Sequence, residues 1–327
     1  MRRVLGYYPD WVTRVPPDRI DYTLFTHLCH AFARTRPDGT LTLPARAGDL
    51  CARARSRGVK TLLSLGGANS NKSLSAIIGD KSAFDRLVDG LVRSVGKEGY
   101  DGIDIDWEAH DSAADAEKMN ALVTRLRDTL GREVPLTMAV PASSWGGKWF
   151  DVRTLLPCLD FINIMTYDYH GPWSDTSGHN ANPYPYPGDG GISNTVSIEY
   201  WTKTKGFPAD KLLLGIPLYG RGFAVRQLGD RTVKGQRAPH EYVGWQEVDA
   251  LLRMGWKRVR DQKAGVPYLV SPRGDEVISY EDTESAREKG AWAKKQGLSG
   301  IFFWEITQDH TDGTHLLVRA AREGFLK

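Results

Sequence analysis

Short apolar runs recur along the chain with amphipathic stretches between them. The runs fall at residues 4–8, 27–33, 61–65, 102–107, 136–140, 161–167, 212–217 and 300–304, each of strand length. Between them lie segments of helical period. Phe84, Leu87, Val88, Leu91, Val92 and Val95 make one apolar stripe, and Met119, Leu122, Val123, Leu126 and Leu130 make another. Strands alternating with amphipathic helices predict βα units and a parallel sheet. Eight such units fit an α/β fold of the (β/α)8 TIM-barrel type better than an open sheet, where a dinucleotide fingerprint would be expected. A phosphate-loop look-alike at residues 66–73 fails, because Asn71 stands where the second glycine belongs.

One interval breaks the rhythm. Residues 218–299 separate the seventh and eighth runs, far more than a crossover helix requires. Within it, residues 242–254 read as a helix, and 266–270 and 276–280 as strands around the turn Ser271-Pro272-Arg273-Gly274-Asp275. Residues 283–295 return as the last barrel helix. The expected division is a barrel from 1–222 and 283–327 with a small α+β insertion at 223–282.

Residues 101–108, Asp-Gly-Ile-Asp-Ile-Asp-Trp-Glu, add chemistry to this frame. Asp104, Asp106 and Glu108 alternate with Ile103, Ile105 and Trp107. On a strand the three carboxylates share one face, at steps of roughly 6.6–6.8 Å. Crowding like charges costs stability, and a solvated strand face would mix signs and include Ser, Thr and Lys. A hard-metal site is the other alternative, but no calcium-loop pattern follows and no paired-histidine zinc pattern occurs. No metal or cofactor is therefore expected. Carboxylates this close shift one another's pKa, and the one that stays protonated can serve as a general acid. Glu108 ends the fourth run, where barrel enzymes carry their active sites. Asp101 enters the strand on the opposite parity and reads as structural.

Composition narrows the field further. The 327 residues are 41% hydrophobic, enough for a large core, and 43 basic against 40 acidic residues leave a net charge of +3. Neither that balance nor any basic run suggests nucleic acid, and no stretch is long and apolar enough for a membrane span. Cys29, Cys51 and Cys158 imply no disulfide framework. The start, Met1-Arg2-Arg3 running straight into Val4-Leu5-Gly6-Tyr7-Tyr8, has no apolar leader. That points to a cytoplasmic protein or a trimmed form of a secreted one. Ten Trp and thirteen Tyr supply faces on which sugar rings stack, although most are expected in the core.

These motifs together resemble glycoside hydrolase family 18, the chitinases and their relatives. Asp101, Asp104, Asp106 and Glu108 match its DxxDxDxE signature. Ser64-Leu65-Gly66-Gly67 is similar to its SxGG motif, and Met165-Thr166-Tyr167-Asp168 to its MxYD motif. Residues 214–221 are similar to its seventh-strand motif, and Trp304 stands where the family has its eighth-strand tryptophan. The insertion resembles a compact chitinase insertion domain, which forms a wall of a deep groove.

The resemblance implies a retaining hydrolase cleaving β-1,4 bonds of chitin or N-acetylglucosamine oligosaccharides, working as a monomer. The same chemistry would serve an enzyme of N-glycans or peptidoglycan, and a lectin of this fold is the non-enzymatic alternative. By that resemblance Glu108 is the acid, Asp106 orients the 2-acetamido group, and Asp104 shares a proton with Asp106. Tyr167 donates to the acetamido oxygen, Trp304 floors the cleavage subsite, and Asp168 holds a sugar hydroxyl or braces the acid. Met165, Tyr7, Phe32, Met138, Tyr219 and Arg221 are expected to line the groove, with Trp173 and residues 177–180 on the product side. Gly66 and Gly67 are expected to permit close backbone packing. Ala68 replaces the tryptophan that many members carry after SxGG, which implies a weaker outer subsite.

Overall fold

The computed structural model describes residues 2–108, 112–186, 190–233 and 235–327. In chain order the strands used below are β1 (Arg3–Pro9), β2 (His27–Thr35), β3 (Lys60–Gly66), β4 (Gly102–Asp106), β5 (Leu136–Pro141), β6 (Phe161–Met165) and β7 (Leu212–Pro217). They continue as β8 (Tyr219–Phe223), β9 (Tyr242–Gly244), β10 (Lys257–Asp261), β11 (Val266–Val270), β12 (Val277–Ser279) and β13 (Gly300–Trp304). Strands β1 to β7 and β13 pair in parallel, each with the next, and β13 returns to β1. The sheet is thereby closed, an eight-stranded (β/α)8 barrel.

The period-two pattern of the strands sorts residues into two shells. Outward-facing Leu63, Ile103, Ile105, Val140, Ile164 and Leu214 pack against the helices, including the stripe Met119, Leu122, Val123 and Leu126. Inward-facing Leu5, Cys29, Leu62, Phe161, Leu213 and Phe302 plug the barrel. Helix ends follow local chemistry. Ser112 caps the helix Ala113–Leu130, which stops at Gly131 with φ of 74°. Asp282 caps the helix Thr283–Lys295 by accepting from the Ser285 N–H.

Strand β4 stops at Asp106, one residue short of the expected end, because its partner β3 ends at Gly66. Strand β6 stops at Met165 rather than residue 167, where the Thr166 hydroxyl turns to the Gly215 carbonyl. The larger departure lies after β7. The expected helix 242–254 is a strand, Tyr242–Gly244, a short turn of 3-10 helix and a helix confined to Val248–Arg253. Pairing of Tyr242 with Arg221 and of Val243 with Gly220 outweighs helical period here. An antiparallel sheet of order β9-β8-β12-β11-β10 results. It takes in Tyr219–Phe223, upstream of the expected boundary at 223. Strand β8 was illegible because two of its five positions are glycines. A Cβ at Gly222 would lie 2.1 Å from the His240 carbonyl, so close strand approach requires the bare backbone. Strand β10, Lys-Arg-Val-Arg-Asp, is too charged to read as apolar alternation.

Candidate active site

The C-terminal mouth of the barrel opens into a groove of about 890 Å³. Asp104, Asp106 and Glu108 lie at successive heights on the way to it. Asp104 is fully buried in a polar layer inside the barrel. Its carboxylate accepts from Tyr7 at 2.8 Å, Ser64 at 2.8 Å, Thr137 at 2.6 Å and Asn163 at 3.3 Å. Burial raises its pKa, while the Thr137, Ser64 and Tyr7 hydroxyls counter that by stabilising the anion. Among the described residues no hydrogen bond joins Asp104 to Asp106. Four donors occupy the Asp104 oxygens.

Asp106 lies one step higher, buried, with Oδ1 out of solvent and without a hydrogen-bond partner. Burial pushes its pKa well up, and the charges of Glu108 and Asp104 add to that. Glu108 reaches the groove, and its pKa rises to about 7, chiefly through burial and then through the Asp168 charge. A carboxyl of that pKa is half protonated near neutrality and therefore suited to general acid work. Two carboxyl groups with a shared perturbation titrate as a pair.

The surrounding strands present further groups. Tyr167 and Met165 line the groove with Trp304. The Tyr167 ring packs edge-on to Phe302 at 6.0 Å and to Tyr219 at 6.2 Å. Asp168 adopts φ of 58° just beyond β6. Its carboxylate accepts from the Tyr219 hydroxyl at 2.8 Å and from two guanidinium nitrogens of Arg221 at 2.8 and 2.9 Å. Those donors come from β8, so the antiparallel sheet fixes a charge that acts on a barrel-borne acid. Gly66 and Gly67 allow the close approach expected of them. A Cβ on Gly66 would stand 2.2 Å from the Asp106 carbonyl, and one on Gly67 would meet the Phe32 ring at 2.5 Å. Asp101 ties β4 to β3 by accepting from the Thr61 N–H at 2.8 Å.

Three expectations fail. Met138 is fully buried on the outer face of β5, among the side chains between barrel and helices, because its parity with Leu136 and Val140 turns it from the groove. Tyr7 lies beneath the groove, not on its wall, held by its bond to Asp104 and by Phe302 and Trp304. Residues 177–180 are not in the groove lining; Asn180 and His179 are buried against β12, both bonded to the Ser279 hydroxyl.

Several groove residues were missed. Trp11 is 53% exposed and Trp145 82% exposed, and both line the groove with Tyr242 and Ser143. Trp11 stacks on Phe32 at 5.9 Å, and Phe32 stacks on Trp304 at 5.8 Å. Ala68 lies beside them, and a recess of about 300 Å³ runs on past Trp11 along Arg34, Asn69 and Ser73. Trp173, 60% exposed, borders the other side, with the Arg221 guanidinium 5.2 Å from its ring. Trp11 follows β1 and Trp145 follows β5. Aromatic residues in the segments that follow strand C-terminal ends were the available signal. Thr137 and Asn163 could have been found as lone polar residues at inward positions of apolar strands.

Comparison with known proteins agrees with this geometry. A sequence model described as glycosyl hydrolases family 18 matches residues 3–309. The chain is 31% identical to Endochitinase 1 of Metarhizium robertsii over 77% of its own length, and spans 62% of that protein. It is 28% identical to mouse Chitotriosidase-1 over 98% of its length and 77% of that protein's. A GH18 chitinase from Cycas revoluta, solved in complex with (GlcNAc)3, superposes with a TM-score of 0.88 at 27% identity, covering 99% of both chains. The match over nearly all of the sequence shows that this chain belongs to glycosyl hydrolases family 18.

Proposed function

We propose that the protein is a chitin-cleaving glycoside hydrolase that acts with retention through the substrate's own acetamido group. The observation that carries this reading is the pairing of Glu108, raised to about 7, with the buried and unpartnered Oδ1 of Asp106 in one groove. With Asp106 free to accept an acetamido N–H, the 2-acetamido oxygen of the substrate supplies the nucleophile, the documented alternative to a carboxylate.

In this scheme Glu108 gives its proton to the glycosidic oxygen as that bond breaks. The acetamido oxygen of the same sugar attacks the anomeric carbon and forms an oxazolinium ion. Asp106 Oδ1 accepts the acetamido N–H, which orients the attack and offsets the developing positive charge. Tyr167 donates to the acetamido oxygen. Water then attacks the anomeric carbon from the face the leaving group vacated, opposite the acetamido oxygen, and Glu108 takes its proton, which restores the acid. Asp104, locked by four donors beneath Asp106, adds to the rise of the Asp106 pKa. Trp304 with Phe32 and Trp11 offers a sequence of ring faces, and Trp145 and Trp173 offer others. The sheet of β8 to β12 forms one wall of the groove and belongs functionally with it. The groove continues beyond Trp11, and a second cavity of about 550 Å³ adjoins Trp173. That continuity supports a polymer lying across the site and cleaved internally. The relatives' names and the (GlcNAc)3 complex of the Cycas revoluta enzyme support N-acetylglucosamine oligomers as substrates.

The test is a parallel digest of chitin hexamer, peptidoglycan and a high-mannose glycopeptide, with products resolved by mass and anomer. Hexamer cleavage giving the β-anomer first is expected. Cleavage of peptidoglycan or glycopeptide alone would reject the substrate, and an α-anomeric first product would reject the mechanism.

A further inference from the structure

Asn180 has no place in the scheme above, yet its bonds converge on the acid's neighbour. The residue is buried, with 1% of its surface exposed. Its Oδ1 accepts the Asp168 backbone N–H at 2.9 Å, and its Nδ2 donates to the Tyr219 carbonyl at 3.1 Å. Its own N–H donates to the Ser279 hydroxyl at 3.0 Å, and its carbonyl accepts the Tyr169 N–H at 3.0 Å. One side chain thus joins the segment after β6 to β8, while its backbone reaches β12.

The bond to Asp168 matters because of where Asp168 stands. Its φ of 58° lies in the left-handed region, which non-glycine residues occupy only when their surroundings hold them there. The carboxylate that this backbone presents is gripped by Tyr219 and Arg221, and it is the charge that acts on Glu108. An amide suits the peg because it carries an acceptor and a donor on one planar group. An apolar residue there would leave the Asp168 N–H and the Tyr219 carbonyl buried without partners.

We propose that Asn180 is a positioning residue, which holds Asp168 in its left-handed conformation and so fixes the distance of the Asp168 carboxylate from Glu108. The proposal rests on the assignment of Glu108 as the acid. Other groups beside Glu108 are Asp106 from β4 and Tyr167 beyond β6, while Tyr219 and Arg221 from β8 and Tyr242 from β9 line the same groove and Asp104 lies beneath Asp106. None of these bonds to the Asn180 side chain except Tyr219, through its carbonyl. Releasing the peg should therefore act on Glu108 through Asp168.

The experiment measures kcat/KM against pH on chitin tetramer for the wild type, Asn180→Ala, Asp168→Asn and the double variant. Asn180→Ala should move the basic limb to lower pH by about half a unit or more, in the direction of Asp168→Asn, because a carboxylate free to move repels Glu108 less. In the double variant the limb should sit where Asp168→Asn alone puts it. An unmoved limb, with the rate lowered by one factor at every pH, overturns the proposal. If the alanine variant does not fold by circular dichroism, Asn180→Leu keeps the volume, removes the same bonds and is read the same way. Failure of both to fold assigns Asn180 to stability and also overturns it. A wild-type enzyme lacking a basic limb near neutrality would remove the functional reading instead.

Discussion

The acid's pKa makes a prediction that pH alone can probe. Glu108 moves from the ordinary 4.5 to about 7. That shift corresponds to about 3 kcal/mol of preference for the neutral form. Burial supplies most of it and the Asp168 charge the rest. For an acid the sign is simple: the catalytically competent form is the protonated one, present below the pKa and lost above it. Roughly nine-tenths of Glu108 should be protonated one unit below the pKa and roughly one-tenth one unit above it. Initial rates on chitin tetramer, extrapolated to kcat/KM in buffers of matched ionic strength, should therefore fall about tenfold between pH 6 and pH 8. The limb belongs to the Glu108–Asp106 pair, since the two carboxyls titrate together and the Glu108 charge raises the Asp106 pKa. Asp168→Asn removes only the smaller cause, so its limb should move down but remain above that of an ordinary glutamate. A wild-type limb near pH 4.5, with activity gone by pH 6, would refute the claim that burial holds this carboxyl neutral.

Glu108→Gln should lower kcat by about 10²–10⁴ with circular dichroism unchanged, the span usual for loss of a general acid; turnover near wild type would reject the assignment. Chitosan oligomers without an acetyl group at the cleaved residue should bind yet resist cleavage, measured by competition against tetramer hydrolysis. Trp145→Ala should raise KM roughly three- to tenfold with kcat little changed, as loss of about 1 kcal/mol of stacking would do; an unaltered KM would remove Trp145 from the binding surface. Lys289, fully buried, bonds to Glu281 and to the Ala181 carbonyl. Lys289→Met should cost about 3–5 kcal/mol in urea unfolding by stranding Glu281, and Glu281→Leu added to it should recover much of that.

How much of this was legible follows from what each residue does locally. The barrel announced itself because each strand is a short apolar run, and its period of two forced the acids of residues 104–108 to one side. The same parity rule, applied to β5, would have turned Met138 outward with Leu136 and Val140 and pointed to Thr137 instead. The antiparallel sheet was half hidden for a different reason. Strands β8 and β10 are defined by glycines and charges whose fitness lies in what approaches them, such as the His240 carbonyl above Gly222, and no window of sequence contains that partner. Asn180 shows the same limit at the site. In sequence it is a polar residue in a loop; its meaning comes from Asp168, Tyr219 and Ser279, brought to it by three different elements. Sequence thus reveals groups that perform chemistry more readily than groups that hold them. The chemistry needs particular residue types at particular spacing along one strand, whereas holding needs only a donor and an acceptor at the right point in space.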